Sequence, residues 1–181
     1  MTPQAYNNDG RFLYTGFFIP GEAMSKINFY LDKRNQLNRK RLPLVIANPH
    51  VTVSFKPDQI YPELFGQRCR LIVTKYANDG KNEGIAVKIC PQRIGVDNDT
   101  LQLLNYKINQ ILIPHVTLSV GYEAKPADTA LLDFKYLDTE FTIDDVRYGG
   151  FTTDRKIILS KTLCLDQLQE PIERPDEREL L

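Results

Sequence analysis

Pro49-His50-Val51-Thr52-Val53-Ser54-Phe55 and Pro114-His115-Val116-Thr117-Leu118-Ser119-Val120 are nearly the same phrase, written twice, and they contain both histidines of the chain. Each alternates polar and apolar residues, the period of a half-buried β-strand. The alternation predicts that His50, Thr52 and Ser54 share one face while Val51, Val53 and Phe55 share the other. The second copy sets His115, Thr117 and Ser119 against Val116, Leu118 and Val120. Two such strands lying together bring two imidazoles and two threonine hydroxyls into one small volume.

The segments around the phrases follow a partly repeated order. Residues 11–19 are aromatic and β-favouring and end at Pro20-Gly21, which predicts a strand. Met24, Ile27 and Leu31 then predict a helix over 21–34. A basic segment, Lys33 to Arg41, leads toward the first phrase. Residues 69–76 and 84–89 read as a hairpin around Asn78-Asp79-Gly80. A helix capped by Asn98 or Asp99, with Leu101, Leu104, Ile108 and Ile111 on one stripe, runs into the second phrase. Further β-like runs fall at 140–147 and 156–160, with Tyr148-Gly149-Gly150 as a break between them. The predicted class is α+β: two pseudo-symmetric lobes of antiparallel sheet with helices outside. Residues 1–165 form a single domain in this reading, and 166–181 an acidic tail.

Composition narrows the partners. Of 181 residues, 42% are hydrophobic, enough for one core, and 23 basic residues balance 23 acidic ones. No global field draws the chain to duplex DNA, so any phosphate must be met locally. Cys69, Cys90 and Cys164 have no metal-like spacing and read as thiols of a reducing compartment. With neither an apolar leader nor an 18-residue apolar run, the expectation is a soluble cytoplasmic protein without a membrane partner.

Paired imidazoles suit phosphodiester chemistry. One takes a proton from the attacking oxygen, the other gives one to the leaving oxygen, and an ordinary pKa near 6.5 makes both forms accessible at neutral pH. Threonine hydroxyls can donate to the non-bridging oxygens. Two histidines without a matched third ligand leave a zinc site short, so no metal or other cofactor is expected.

The doubled His-x-Thr-x-Ser, at 50–54 and 115–119, resembles the signature of the 2H phosphoesterase superfamily, and the order of elements over roughly 11–160 is similar to that family's. Its members include 2′-5′ RNA ligase-like proteins, cyclic phosphodiesterases, and viral and phage enzymes that destroy nucleotide alarm signals. The resemblance implies acid–base roles for His50 and His115 and phosphate binding by Thr52 and Thr117. It implies as substrate a small cyclic nucleotide or a 2′,3′-cyclic phosphate, with an RNA end or a non-catalytic nucleotide-binding role as alternatives. Around this centre Ser54 and Ser119 are either flanking groove hydroxyls or simply the polar side of the strand. Lys56 is either a phosphate ligand or a strand exit. Tyr14, Phe18, Tyr76 and Tyr122 either stack a base or fill the core, Tyr122 being the first to test, and Glu140 either reads a base edge or is an exposed carboxylate. The 33–41 cations either guide an RNA end or form a solvated face. Which histidine is the base stays open.

Overall fold

The computed structural model describes residues 2–168, and the acidic tail of the sequence reading lies largely outside them. The chain is α+β, with antiparallel sheets and few helices. Its strands are β1 (Tyr6–Asn7), β2 (Phe12–Phe18), β3 (Leu44–Val45), β4 (His50–Phe55), β5 (Gln59–Ile60), β6 (Arg68–Asn78), β7 (Asn82–Pro91), β8 (His115–Val120), β9 (Lys135–Thr152) and β10 (Ile157–Ile158). The α-helices are α1 (Ala23–Phe29), α2 (Asn98–Asn109) and α3 (Lys161–Gln167). β1 pairs with β5; the large sheet runs β3-β8-β7-β6-β9-β2-β4, with β10 added along β9.

This order places the first His strand, β4, at one end of the sheet and the second, β8, next to the other. The sheet curls until residues of β4 and β8 lie within 8 Å of one another, Cα to Cα, although no ladder joins them. The two His strands thus approach each other with no ladder between them.

One face of the sheet is the core. Phe17, Val51, Leu71, Val73, Ile85, Val116, Ile143 and Val146 are buried there, with Ile27 of α1, Leu31 of the π-turn after it and Leu104 of α2 in the same cluster. Asp97, one residue before the caps named from sequence, closes α2 by accepting from the Thr100 amide. The hairpin turn is held by side chains: Asn78 Oδ1 accepts from Gly80 N, and Asp79 Oδ1 from Lys81 N and Asn82 N. Cys69 and Cys164 are buried thiols, and burial pushes Cys164 up to about 12.

Three local expectations differ. Tyr148-Gly149-Gly150 is not a break: β9 passes straight through it. Both glycines are demanded by close approach, because a Cβ at 149 would strike the Ile158 carbonyl and one at 150 the Phe12 ring. Beyond β10, Ser160 caps α3 by accepting from Leu163 N, a helix too short to show a stripe in the sequence. The segment 33–41 is not simply a solvated face. Arg39 is 4% exposed and ion-paired to Glu83, which is 1% exposed, while Arg41 pairs with Asp32. No helix among the described residues is long and apolar enough to cross a membrane.

Candidate functional site

The two His strands are built alike, down to their irregularities. β4 pairs with β2, with Gly16 opposite Thr52 and Thr15 opposite Ser54, which leaves Val53 as an unpaired bulge residue. β8 pairs with β7, with Gly84 opposite Thr117 and Glu83 opposite Ser119, which leaves Leu118 as the bulge. A bulge inserts one residue and resets the faces beyond it. The predicted alternation therefore holds from His to Thr and fails at Ser. Ser54 lies opposite buried Thr15. Ser119 is itself buried, donating to Glu83 Oε1 (2.9 Å) and accepting from Leu42 N (3.3 Å). Neither serine shares the face of the histidines.

The glycine opposite each threonine is required. A Cβ on Gly16 would overlap the Val51 carbonyl oxygen, and one on Gly84 would lie 2.9 Å from the Val116 carbonyl oxygen and inside the Thr129 methyl. Val51 and Val116 are the middle residues of the two His-x-Thr units, so in each half a bare backbone lets the partner strand press against the motif.

Each imidazole is fixed in the same way. His50 Nδ1 lies 2.8 Å from the carbonyl oxygen of Asn48, and His115 Nδ1 lies 2.8 Å from that of Ile113. A carbonyl only accepts, so this bond assigns the proton to Nδ1 in both rings and leaves both Nε2 atoms for chemistry. His50 is packed under aromatics. The Tyr14 ring stacks on it at 4.5 Å and 17°, and Phe18 lies tilted at 5.5 Å. Burial pushes the His50 pKa down from 6.5; the Asn48 carbonyl opposes this, and the positive charge of His115 pushes it down further.

The hydroxyls of the two halves differ. Thr52 is exposed and has no side-chain partner among the described residues. Thr117 lies 2.9 Å from the hydroxyl of buried Thr129, in the 3₁₀ turn 126–131, which also accepts from Asn82 Nδ2 (3.1 Å); Pro126 O is 3.3 Å away. Thr117 Oγ1 is the donor here, to the Thr129 hydroxyl or to the Pro126 carbonyl, and turns its proton outward only by releasing them. The turn that carries Thr129 packs against β8 and β7 in the second half.

Tyr14 is under the His50 ring rather than free in the groove, and burial pushes its phenol up to about 12. Phe18 is buried beside it, and Tyr76 donates to buried Glu83 Oε2 (2.5 Å). Tyr122 is 79% exposed in the turn after β8, and Glu140 is exposed on β9. Lys56 is past the strand end with a left-handed backbone (φ 48°), its Nζ 5.5 Å from the centre of the Phe55 ring. Phe55 was placed on the oily face by alternation; the bulge sets it opposite Tyr14, on the histidines' face, where it is 64% exposed. Only the Gly16 pairing could have hinted at this, and no pattern within residues 49–55 shows it.

A concavity of about 640 Å3 adjoins the site, lined by Phe18, Asn48, Pro49, Arg68 and Arg147 among others, and one of similar volume lies farther off around Arg39, Tyr76 and Tyr136. No protein-family model matches this sequence, and no curated protein matches it.

Proposed function

We propose that the protein is a phosphodiesterase of the 2H phosphoesterase type, two-lobed in that family's sense, cleaving a phosphodiester at a ribose 2′ or 3′ oxygen of a small nucleotide. The observation that carries the reading is the pair of imidazoles, each with Nδ1 tied to a carbonyl and Nε2 without a partner among the described residues, on two strands that meet without pairing.

In the reaction, one Nε2 accepts the proton of the attacking hydroxyl or water as the new O–P bond forms. The other imidazolium donates its proton to the departing oxygen as the old O–P bond breaks, so the pair ends with its protonation exchanged. We assign the base to His50, since burial and its neighbour's charge favour its neutral form, and the acid to His115. Thr52 and Thr117 donate to the non-bridging oxygens, where negative charge accumulates. Exposed Phe55 joins Tyr122 as a surface on which a base can stack.

A small substrate is favoured over a long RNA. Of the cations that pointed to RNA, Arg39 is spent inside the protein on Glu83, and Arg41 is paired at the surface with Asp32. The test is incubation, with a chelator present, with 2′,3′-cyclic mononucleotides, cyclic di- and trinucleotides, 2′-5′ oligoadenylate and RNA ending in a cyclic phosphate. Turnover of a small cyclic nucleotide, lost in both His50→Asn and His115→Asn, supports the proposal. Turnover that survives in either variant contradicts it.

A further inference from the structure

Four strands carry one row of residues across the sheet from the first histidine. His50 of β4 is directly opposite Phe18 of β2, Phe18 is directly opposite Arg147 of β9, and Arg147 is directly opposite Arg68 of β6. Directly opposed residues share a face, so both arginines lie on the same side of the sheet as His50. The neighbouring row, Val51, Phe17, Tyr148, is buried in the core, which confirms the alternation.

Like charges placed directly opposite destabilise a sheet. Neither guanidinium has a hydrogen bond or ion pair among the described residues, although other surface arginines here find carboxylates, as Arg70 does with Asp144 (2.8 Å). Glu22 and Asp145 line the same concavity, yet neither pairs with Arg68 or Arg147. Asp145 projects at a bulge with a left-handed backbone (φ 58°). The roughly 640 Å3 hollow that the arginines line also takes in Phe18, Asn48 and Pro49, and so abuts the carbonyl that holds His50. Two arginines on directly opposed positions, both lining this hollow and without a partner among the described residues, offer planar donors matched to phosphate oxygens.

We propose that Arg68 and Arg147 form a second phosphate subsite, so that the preferred substrate carries at least two phosphates: an oligonucleotide, cyclic or linear, rather than a mononucleotide. This rests on the phosphodiesterase reading above. With strands about 4.8 Å apart, Arg147 stands about 10 Å and Arg68 about 14 Å from His50 along the row. One phosphate does not span that distance, and a dinucleotide presents its second phosphate toward it.

The experiment compares binding of linear diadenylate with a 5′-phosphate and of AMP to the wild type and to Arg68→Gln/Arg147→Gln by calorimetry, with thermal melts to verify folding. The double variant should lose about tenfold or more in affinity for the diadenylate, since charge-assisted hydrogen bonds are removed, and keep AMP within about twofold. Arg68→Lys/Arg147→Lys should recover part of the loss. Equal loss for both ligands, no loss for the diadenylate, or a wild type that binds neither overturns the subsite. Arginine-dependent diadenylate binding in a protein that turns over none of the cyclic substrates upholds the subsite and refutes the catalytic reading instead.

Discussion

Replacing Glu83 by Gln should be among the most costly single changes in this protein, although no core volume is lost. Glu83 is 1% exposed and accepts four hydrogen bonds: Arg39 Nε at 2.8 Å, Arg39 Nη2 at 3.2 Å, Tyr76 Oη at 2.5 Å and Ser119 Oγ at 2.9 Å. The amide keeps the shape but removes the charge and converts one acceptor into a donor facing donors. Arg39, 4% exposed, is left as a buried cation with Asn28 and a longer contact to Asp32 (3.3 Å). Breaking a buried pair in this way costs about 3–5 kcal/mol. For a domain of this size that corresponds to a fall in Tm of about 6–20 °C. Arg70→Gln, which breaks an exposed pair with Asp144, should cost about 1 kcal/mol or less. Urea unfolding of both variants, with Arg39→Met and Glu83→Gln/Arg39→Met to complete the cycle, separates the two cases. The double variant should be more stable than Glu83→Gln alone. A Glu83→Gln variant within about 1 kcal/mol of wild type, or a cycle with no coupling, would refute the claim that burial of this pair makes it indispensable.

Three other outcomes follow from the site. Gly16→Ala and Gly84→Ala should each destabilise by about 1–3 kcal/mol and reduce turnover, since the added methyl pushes against the carbonyl inside a His-x-Thr unit; an Ala variant with wild-type melting and rate would refute the required close approach. Thr129→Val should lower kcat with little change in KM and cost about 1–3 kcal/mol of stability, because buried Asn82 Nδ2 loses an acceptor, while Thr129→Ser keeps both stability and rate, if its hydroxyl orients Thr117; equal turnover of Val and Ser would contradict that role. His50 should titrate below 6.5, and His115→Gln should raise its pKa by removing a neighbouring cation. Since the unfolded chain takes up this proton at 6.5 and the folded chain resists it, the stability His50 contributes at neutral pH should be lost as pH falls below 6.5. Proton NMR of the imidazole Cε1–H reads both effects, and a His50 value above 6.5 would contradict the burial argument.

The His-x-Thr units, α2, the central hairpin and the α+β class are legible in the sequence because each depends on local period; of the α2 stripe, Leu104, Ile108 and Ile111 pack at the core, with Leu103 rather than Leu101 beside them. What was not legible depends on partners distant in the chain. The faces reverse at Val53 and Leu118 because β2 and β7 pair around them, so simple alternation puts Ser54, Ser119 and Phe55 on the wrong side. Arg39 looked like part of a charge run; its partner is 44 residues away. Gly149-Gly150 looked like a break because a glycine pair signals a turn unless one knows that Ile158 and Phe12 press on it. Nothing local in the sequence marks Arg68 and Arg147, since only β6–β9 register makes them neighbours.

With only two histidines in the chain, 15N labelling of histidine gives a spectrum of four imidazole nitrogens, which makes the central claim directly measurable. Titrated with orthovanadate, a mimic of the phosphoryl transition state, both Nε2 resonances should shift with one common half-saturation while both Nδ1 atoms keep their protons, and His50→Gln should abolish the response at His115. A response at one histidine only, or two responses with unrelated affinities, would show that the imidazoles do not hold a common phosphate.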